Sequence, residues 1–172
     1  KPFFTSPGIG GHCIPVDPNF INWKAKKYNT SSKFIKTSNL INRKIIDWTT
    51  IKILEEYKKI KKKNKKILII GITYKKNVED LRESAPLKIF KKLRNKKIDV
   101  SYHDNFANQI NFNGSNYNSI PLNESVLKKR DLVVICTNHS GINYKKILKH
   151  SKLIIDTIGA YQNINNKKIV HA

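Results

Sequence analysis

A single thiol, Cys13, stands in the run Ser6-Pro7-Gly8-Ile9-Gly10-Gly11-His12-Cys13-Ile14-Pro15-Val16-Asp17-Pro18, on a glycine-rich turn four residues ahead of a carboxylate. Glycine tolerates positive φ and lets a ligand come close to the main chain, and free amides at such a turn bind anionic or polar oxygens. A thiol presented there is accessible for nucleophilic attack. For an isolated cysteine a buried, inert thiol is the commoner outcome. The glycines, prolines and aspartate crowded around Cys13 point instead to a nucleophile.

A second group of chemically capable residues lies in Gly71-Ile72-Thr73-Tyr74-Lys75-Lys76-Asn77-Val78-Glu79-Asp80-Leu81-Arg82-Glu83-Ser84. Lys75 and Arg82 are cations suited to a diphosphate or to the acidic face of a cofactor, and Tyr74 can stack on a ring. The competing reading makes Lys75 and Lys76 two more solvated lysines, with Arg82 merely paired to Glu79 or Asp80. Cys136 and His139 share a Cys-x-x-His spacing and with His12 and Cys13 would nominally supply four zinc ligands. A structural zinc site normally shows two close pairs in a small metal-dependent fold. No metal is therefore assigned; Cys136 is read as a core thiol and His139 as a rim residue of a ligand site. His103 and Asp104 end a strand, where a turn role and a ligand contact are equally open.

The elements that must position these groups follow from hydrophobic periodicity. Asp17 before Pro18 predicts an N-cap and a short helix ending near Asn29. Thr30-Ser31-Ser32 supplies the next start signal, and Ile41, Ile45, Trp48, Ile51, Leu54 and Tyr57 predict a long amphipathic helix running to about Lys62. Ile67 to Ile72 is an unbroken apolar run of the kind a strand buried on both faces requires. Helices are predicted from Ser84 or Ala85, around Asn123 to Lys129, and near Tyr144 to Lys149. Further strands are predicted at Ile98 to Tyr102, Leu132 to Cys136, Leu153 to Asp156 and Ile169 to His171. Strands alternating with helices define an α/β fold, a doubly wound parallel sheet preceded by a long helical connector. The division expected is 1–62 for the cysteine loop and connector and 63–172 for the sheet domain. In such sheets ligands bind at the carboxyl ends of the strands, which is where 73–82 falls.

Composition narrows the class. The chain has 172 residues, 39% of them apolar, enough for one core and an appendage. No apolar run reaches membrane-spanning length, and two unlike cysteines do not make a disulfide framework, which together imply a cytoplasmic protein and no membrane partner. The formal charge of +22 raises nucleic acid as a partner. Only Arg43, Arg82, Arg94 and Arg130 are arginines, and no recognition motif accompanies the lysines, so solvated lysine-rich faces explain the charge and no specific nucleic-acid binding is expected.

Both motifs resemble those of the UDP-glucose/GDP-mannose dehydrogenase family. Gly10-Gly11-His12-Cys13-Ile14-Pro15-Val16-Asp17-Pro18 looks like its catalytic-cysteine loop, particularly in members acting on UDP-N-acetylhexosamines, and 71–84 is similar to its nucleotide-sugar loop. The resemblance implies a Rossmann-like UDP-binding domain, a connector that helps form a homo-oligomer, and an NAD-dependent oxidation of a UDP-sugar C6 alcohol to a carboxylate for surface polysaccharide precursors. It makes Cys13 the nucleophile that forms a thioester and Asp17 the residue that positions water or moves a proton. Gly8, Gly10, Gly11, Tyr74 and Lys75 become substrate contacts, and Arg82 a contact to NAD. The family's N-terminal NAD-binding domain, with its Gly-x-Gly-x-x-Gly, has no counterpart here. With Lys1 first and no methionine, the chain reads as the rear part of a longer enzyme, inactive alone. Where the family commonly has Asp-Thr-Arg-Asn, this chain has Asp156-Thr157-Ile158-Gly159. A non-catalytic nucleotide-sugar-binding or dimerisation module and a basic nucleic-acid-binding protein are the alternatives.

Overall fold

The computed structural model describes residues 5–172. Two helices lead, α1 (Asp17–Lys26) and α2 (Lys33–Lys59), followed by β1 (Lys66–Ile70), α3 (Ala85–Asn95), β2 (Asp99–His103), β3 (Gln109–Phe112), β4 (Ser115–Asn118), α4 (Glu124–Lys129), β5 (Leu132–Ile135), α5 (Tyr144–His150), β6 (Ile154–Asp156) and β7 (Ile169–His171). Five strands form one parallel sheet in the order β2-β1-β5-β6-β7. The chain thus leaves β1 to one side and returns on the other, which puts the topological switch point between the carboxyl ends of β1 and β5.

Alternation along the central strands explains the three layers. Ile67 and Ile69 of β1 and Leu132 and Val134 of β5 face α3 and the docked half of α2, together with Ile89, Phe90 and Leu93. Leu68, Ile70, Val133 and Ile135 face the opposite layer with Leu127 of α4 and Ile147 of α5. A strand covered on both faces has no polar side to show, which is why these runs read as continuous hydrophobic segments.

The ends of the elements differ from the sequence expectation for identifiable reasons. α1 begins at Asp17, but its N-cap is Val16 and no side chain caps it; the Asp17 carboxylate lies 2.8 Å from His12 Nδ1 instead. Ser32 caps α2 by accepting from the Ile35 amide at 3.3 Å. Gly71 has φ +82°, and its main chain crosses so close to Thr137 that an added Cβ would lie 2.5 Å from that residue's Cβ; the strand therefore ends at Ile70. The antiparallel hairpin β3–β4 has no counterpart in the sequence expectation. Its signal was present: Asn113 and Gly114 both have positive φ, 51° and 73°, as a type I′ turn demands.

Along α2 the buried positions are Ile46, Thr49, Thr50 and Ile53. Ile41, Ile45, Trp48 and Ile51, predicted as the packing stripe, remain 39–54% exposed on another face. Leu54 and Tyr57 pack against the core. Beyond the helix, Asp131 fixes the connector to the sheet: it accepts from Lys62 Nζ at 2.7 Å, Lys152 Nζ at 2.9 Å and the Lys66 amide at 3.0 Å. Burial by itself would raise the Asp131 pKa, but the bonds from Lys62, Lys152 and Lys66 outweigh it and hold the carboxyl at about 2.

A carboxyl depressed in the folded state stabilises the fold above its unfolded pKa, and that contribution disappears as pH falls through the folded value. Asp131→Asn should therefore lower stability at neutral pH by on the order of 2 kcal/mol. The difference from the native chain should shrink between about pH 4 and pH 2, as followed by thermal or urea melts across that range.

Candidate functional site

The cysteine loop is pinned to α2 and to the loop after β1. Asn42 of α2 takes both polar groups of the Ile9 backbone, accepting from its amide at 2.8 Å and donating to its carbonyl at 2.8 Å. The Gly11 amide donates to the Arg82 carbonyl at 2.9 Å. Within the turn the Val16 amide bonds the His12 carbonyl at 3.0 Å, and the Asp17 amide the Cys13 carbonyl at 3.3 Å. Cys13 is left exposed at its crest.

Glycine is obligatory where this loop meets Tyr74. An added Cβ on Gly10 would stand 2.6 Å from Tyr74 Cβ and 2.9 Å from the Glu83 carbonyl oxygen; on Gly11, with φ +85°, it would stand 2.7 Å from Tyr74 Cε2. The phenol ring lies flush against the bare main chain, so two segments some sixty residues apart share one surface. Gly8, at φ +143°, fits between Ile46, Ala85 and Asn42 with no room for a side chain.

The loop after β1 displays the cations. Lys75 is exposed, and its ammonium makes no ion pair among the described residues. Arg82 has a side-chain exposure of 67% and is forked onto Asp80, with Nη2 2.6 Å from Oδ2 and Nε 3.1 Å and 3.0 Å from Oδ1 and Oδ2. The pairing raises the Arg82 pKa, with smaller contributions from the nearby Tyr74 hydroxyl and Cys13 thiol, and lowers that of Asp80. The simpler of the two sequence readings of Arg82, a partner for Asp80, is thus what the geometry displays, on the same surface as Cys13.

Beneath these residues is a buried polar cluster that sequence reasoning saw only in pieces. Asp104, at the end of β2, accepts at Oδ2 from the Ile72 amide (2.7 Å), the Thr73 amide (3.1 Å) and His139 Nε2 (3.0 Å). At Oδ1 it accepts from the amides of Phe106 (2.8 Å) and Ala107 (3.1 Å). Burial pushes its pKa up, yet the bonds from His139, Phe106 and Ile72 more than reverse this and hold it at about 2. His139, read from sequence as a rim residue, is buried, with Phe106 stacked on it at 5.0 Å. Asn42 gave no sequence signal at all beyond being one polar residue in a helix.

The remaining sequence candidates sit apart. Cys136 is a core thiol whose pKa burial pushes up to about 12, so it carries no nucleophilic character. Both ring nitrogens of His139 are engaged, and no cluster of three metal-ligating side chains occurs among the described residues. Ile158 packs against the α4–α5 core layer. No described helix is long and apolar enough to cross a membrane.

For a dinucleotide the fit is limited. A doubly wound sheet offers a pyrophosphate the amides that follow β1, but here those of Ile72 and Thr73 are taken by Asp104. The chain can offer such a cofactor the Arg82 guanidinium, not a cradle.

A parallel sheet, a switch-point loop bearing a tyrosine and cations, and a glycine loop bearing a thiol define the class: a Rossmann-like nucleotide-binding domain with its preceding connector. The family model described as the UDP binding domain of the UDP-glucose/GDP-mannose dehydrogenase family matches residues 68–163, and that of the family's central domain matches residues 1–44. The chain belongs to this family. It is 37% identical over 159 residues to UDP-N-acetyl-D-mannosamine dehydrogenase of Methanococcus vannielii, covering 88% of this chain and 35% of that protein. The enzyme of the same name from Methanocaldococcus jannaschii is 34% identical, over 95% of this chain and 36% of the relative. Among solved structures, the UDP-D-ManNAc dehydrogenase of Pyrococcus horikoshii superposes with a TM-score of 0.72 at 27% identity, over 96% of this chain and 37% of that one. The chain thus spans about a third of the length of these relatives.

Gly11→Ala should force the Tyr74 ring off the cysteine loop, since the new methyl has neither the φ nor the space it needs. A loss of roughly 1–3 kcal/mol in stability is expected. The expected accompaniment is a faster reaction of Cys13 with iodoacetamide and altered Tyr74 ring resonances, both measurable on the purified chain.

Proposed function

We propose that this chain is the substrate-side part of an NAD-dependent UDP-sugar 6-dehydrogenase acting on a UDP-N-acetylhexosamine in the cytoplasm. The single observation that carries the reading is the packing of Tyr74 on Gly10 and Gly11, which sets the loop of the exposed Cys13 thiol against the loop that carries Lys75 and Arg82. The names of the similar proteins, UDP-N-acetyl-D-mannosamine dehydrogenases, support the substrate class. Lys75 neutralises diphosphate charge, Tyr74 packs against the nucleotide sugar, and the Gly8 and Gly10 amides of the turn donate to its polar oxygens.

Bound NAD supplies the chemistry of the two oxidations by taking up hydride. This chain's own part is covalent: the Cys13 thiolate adds to the C6 aldehyde carbon, and after the second oxidation Sγ is held to that carbon as a thioester. Water then adds to the thioester carbon and the carbon–sulfur bond breaks, returning the thiolate and releasing the carboxylate, with Asp17 beside the turn to position that water. Arg82 reaches toward the dinucleotide held by another domain.

A non-catalytic nucleotide-sugar-binding module is the second reading. Ile158 favours it, because a partly buried aliphatic side chain packed against the core stands in place of the arginine that the family motif carries there.

In the complete enzyme, Cys13→Ser should abolish uronic acid formation, while Lys75→Ala should chiefly raise KM, by about tenfold, through loss of a contact made equally in ground and transition states. Steady-state NADH production with UDP-N-acetylmannosamine measures both, and near-normal turnover by Cys13→Ser would overturn the covalent mechanism.

The exposed row Ile41, Ile45, Trp48 and Ile51 on α2 fits a second copy of the chain. Trp48→Glu should weaken self-association by at least about tenfold by placing a charge in an apolar contact. Sedimentation equilibrium decides this, and a native chain that stays monomeric at high concentration refutes it.

A further inference from the structure

Tyr74 and Lys75 stand between two anchored residues, and one buried side chain touches both anchors. On the near side, Thr73 Oγ1 lies 3.2 Å from His139 Nε2 and donates to the Lys75 carbonyl at 3.1 Å. On the far side, the Asn77 amide donates to His139 Nδ1 at 3.1 Å. Asn77 itself is in the left-handed region, φ 58°, and its side chain exchanges two hydrogen bonds of 2.8 Å with Ser140. The same imidazole bonds Asp104 through Nε2 at 3.0 Å and is 1% exposed.

The hydrogen-bond logic allows one arrangement of protons. An amide N–H can only donate, so Nδ1 must accept, and the ring proton resides on Nε2. Nε2–H then points at two acceptors, the Asp104 carboxylate and the Thr73 hydroxyl oxygen, whose own hydrogen is committed to the Lys75 carbonyl. The directions are mutually consistent, with Nε2–H shared between its two acceptors. Asp104 is the one charged group in contact with the ring among the described residues; Phe106 stacks on its face.

We propose that His139 is the positioning residue of the substrate loop: from beneath, its imidazole fixes both ends of the segment that presents Tyr74 and Lys75. It touches no reacting atom and acts through Thr73 and Asn77. This rests on the reading of Tyr74 and Lys75 as substrate contacts, and it deepens that reading by assigning the residue that holds them.

His139→Phe keeps an aromatic ring to stack on Phe106 while removing the ring's contacts to Thr73, Asn77 and Asp104. His139→Gln can still present an acceptor to Asn77 and a donor to Asp104. In the purified chain, His139→Phe should raise the exchange rate of the Asn77 amide by about tenfold or more. In the complete enzyme it should raise KM for the UDP-sugar about tenfold with kcat within about twofold, and His139→Gln should recover most of both losses. Should His139→Phe not fold, the native ring still decides: its nitrogen-15 shifts must place the proton on Nε2, and a proton on Nδ1 overturns the proposal. Unchanged Asn77 exchange and unchanged KM in a folded His139→Phe overturn it equally. A native enzyme that makes no NADH from UDP-sugars removes the dehydrogenase reading. The proton position and the Asn77 exchange would then still decide whether His139 fixes the loop.

Discussion

A carboxylate buried at the carboxyl edge of the sheet, Asp104, organises the segments that follow β1, β2 and β5. Five donors converge on it: amides from the end of β1, amides from the segment after β2, and the ring of His139 from beyond β5. A buried charge without such partners would cost far more than the fold could spare, so these segments have little freedom to separate. The strands β2, β1 and β5 are thereby tied together at their carboxyl ends. The same bonds occupy the Ile72 and Thr73 amides that a doubly wound sheet would otherwise present to a phosphate.

The glycine loop is fixed in its turn by contact rather than by charge. Tyr74 emerges from the anchored segment and lies on Gly10 and Gly11, where any side chain would collide with it. Asn42 holds the preceding residue from α2, so the exposed thiol is placed by a helix of the connector and by the sheet domain jointly. Residues 1–62 and 63–172 can be named as separate segments, yet Ile46 and Ile53 of α2 share a core cluster with β1 and α3. The Asp131 clamp on Lys62 and Lys152 closes the other end of the same contact. Lysines that look like part of an undifferentiated basic surface therefore include two with a definite structural role.

The sequence by itself determined the alternation of layers, because a strand covered on both faces must be apolar throughout and an amphipathic helix must repeat every three to four residues. It also determined which residues could do chemistry, since a lone thiol among glycines and a Tyr-Lys pair after a buried strand are local patterns. The Asn113-Gly114 turn is equally local, but β3 and β4 are four residues each and too polar to show a strand period. What only the tertiary structure decided is which of these groups meet and in what state. Which face of α2 is buried depends on where α3 lies, so the periodic stripe could not distinguish Ile46 and Ile53 from Ile45 and Trp48. Arg82 bonds Asp80, Asp17 contacts His12 instead of capping its helix, and His139 sinks beneath the loop rather than rimming it. These outcomes rest on hydrogen-bond geometry between segments distant in sequence, and no spacing along the chain encodes a distance across it.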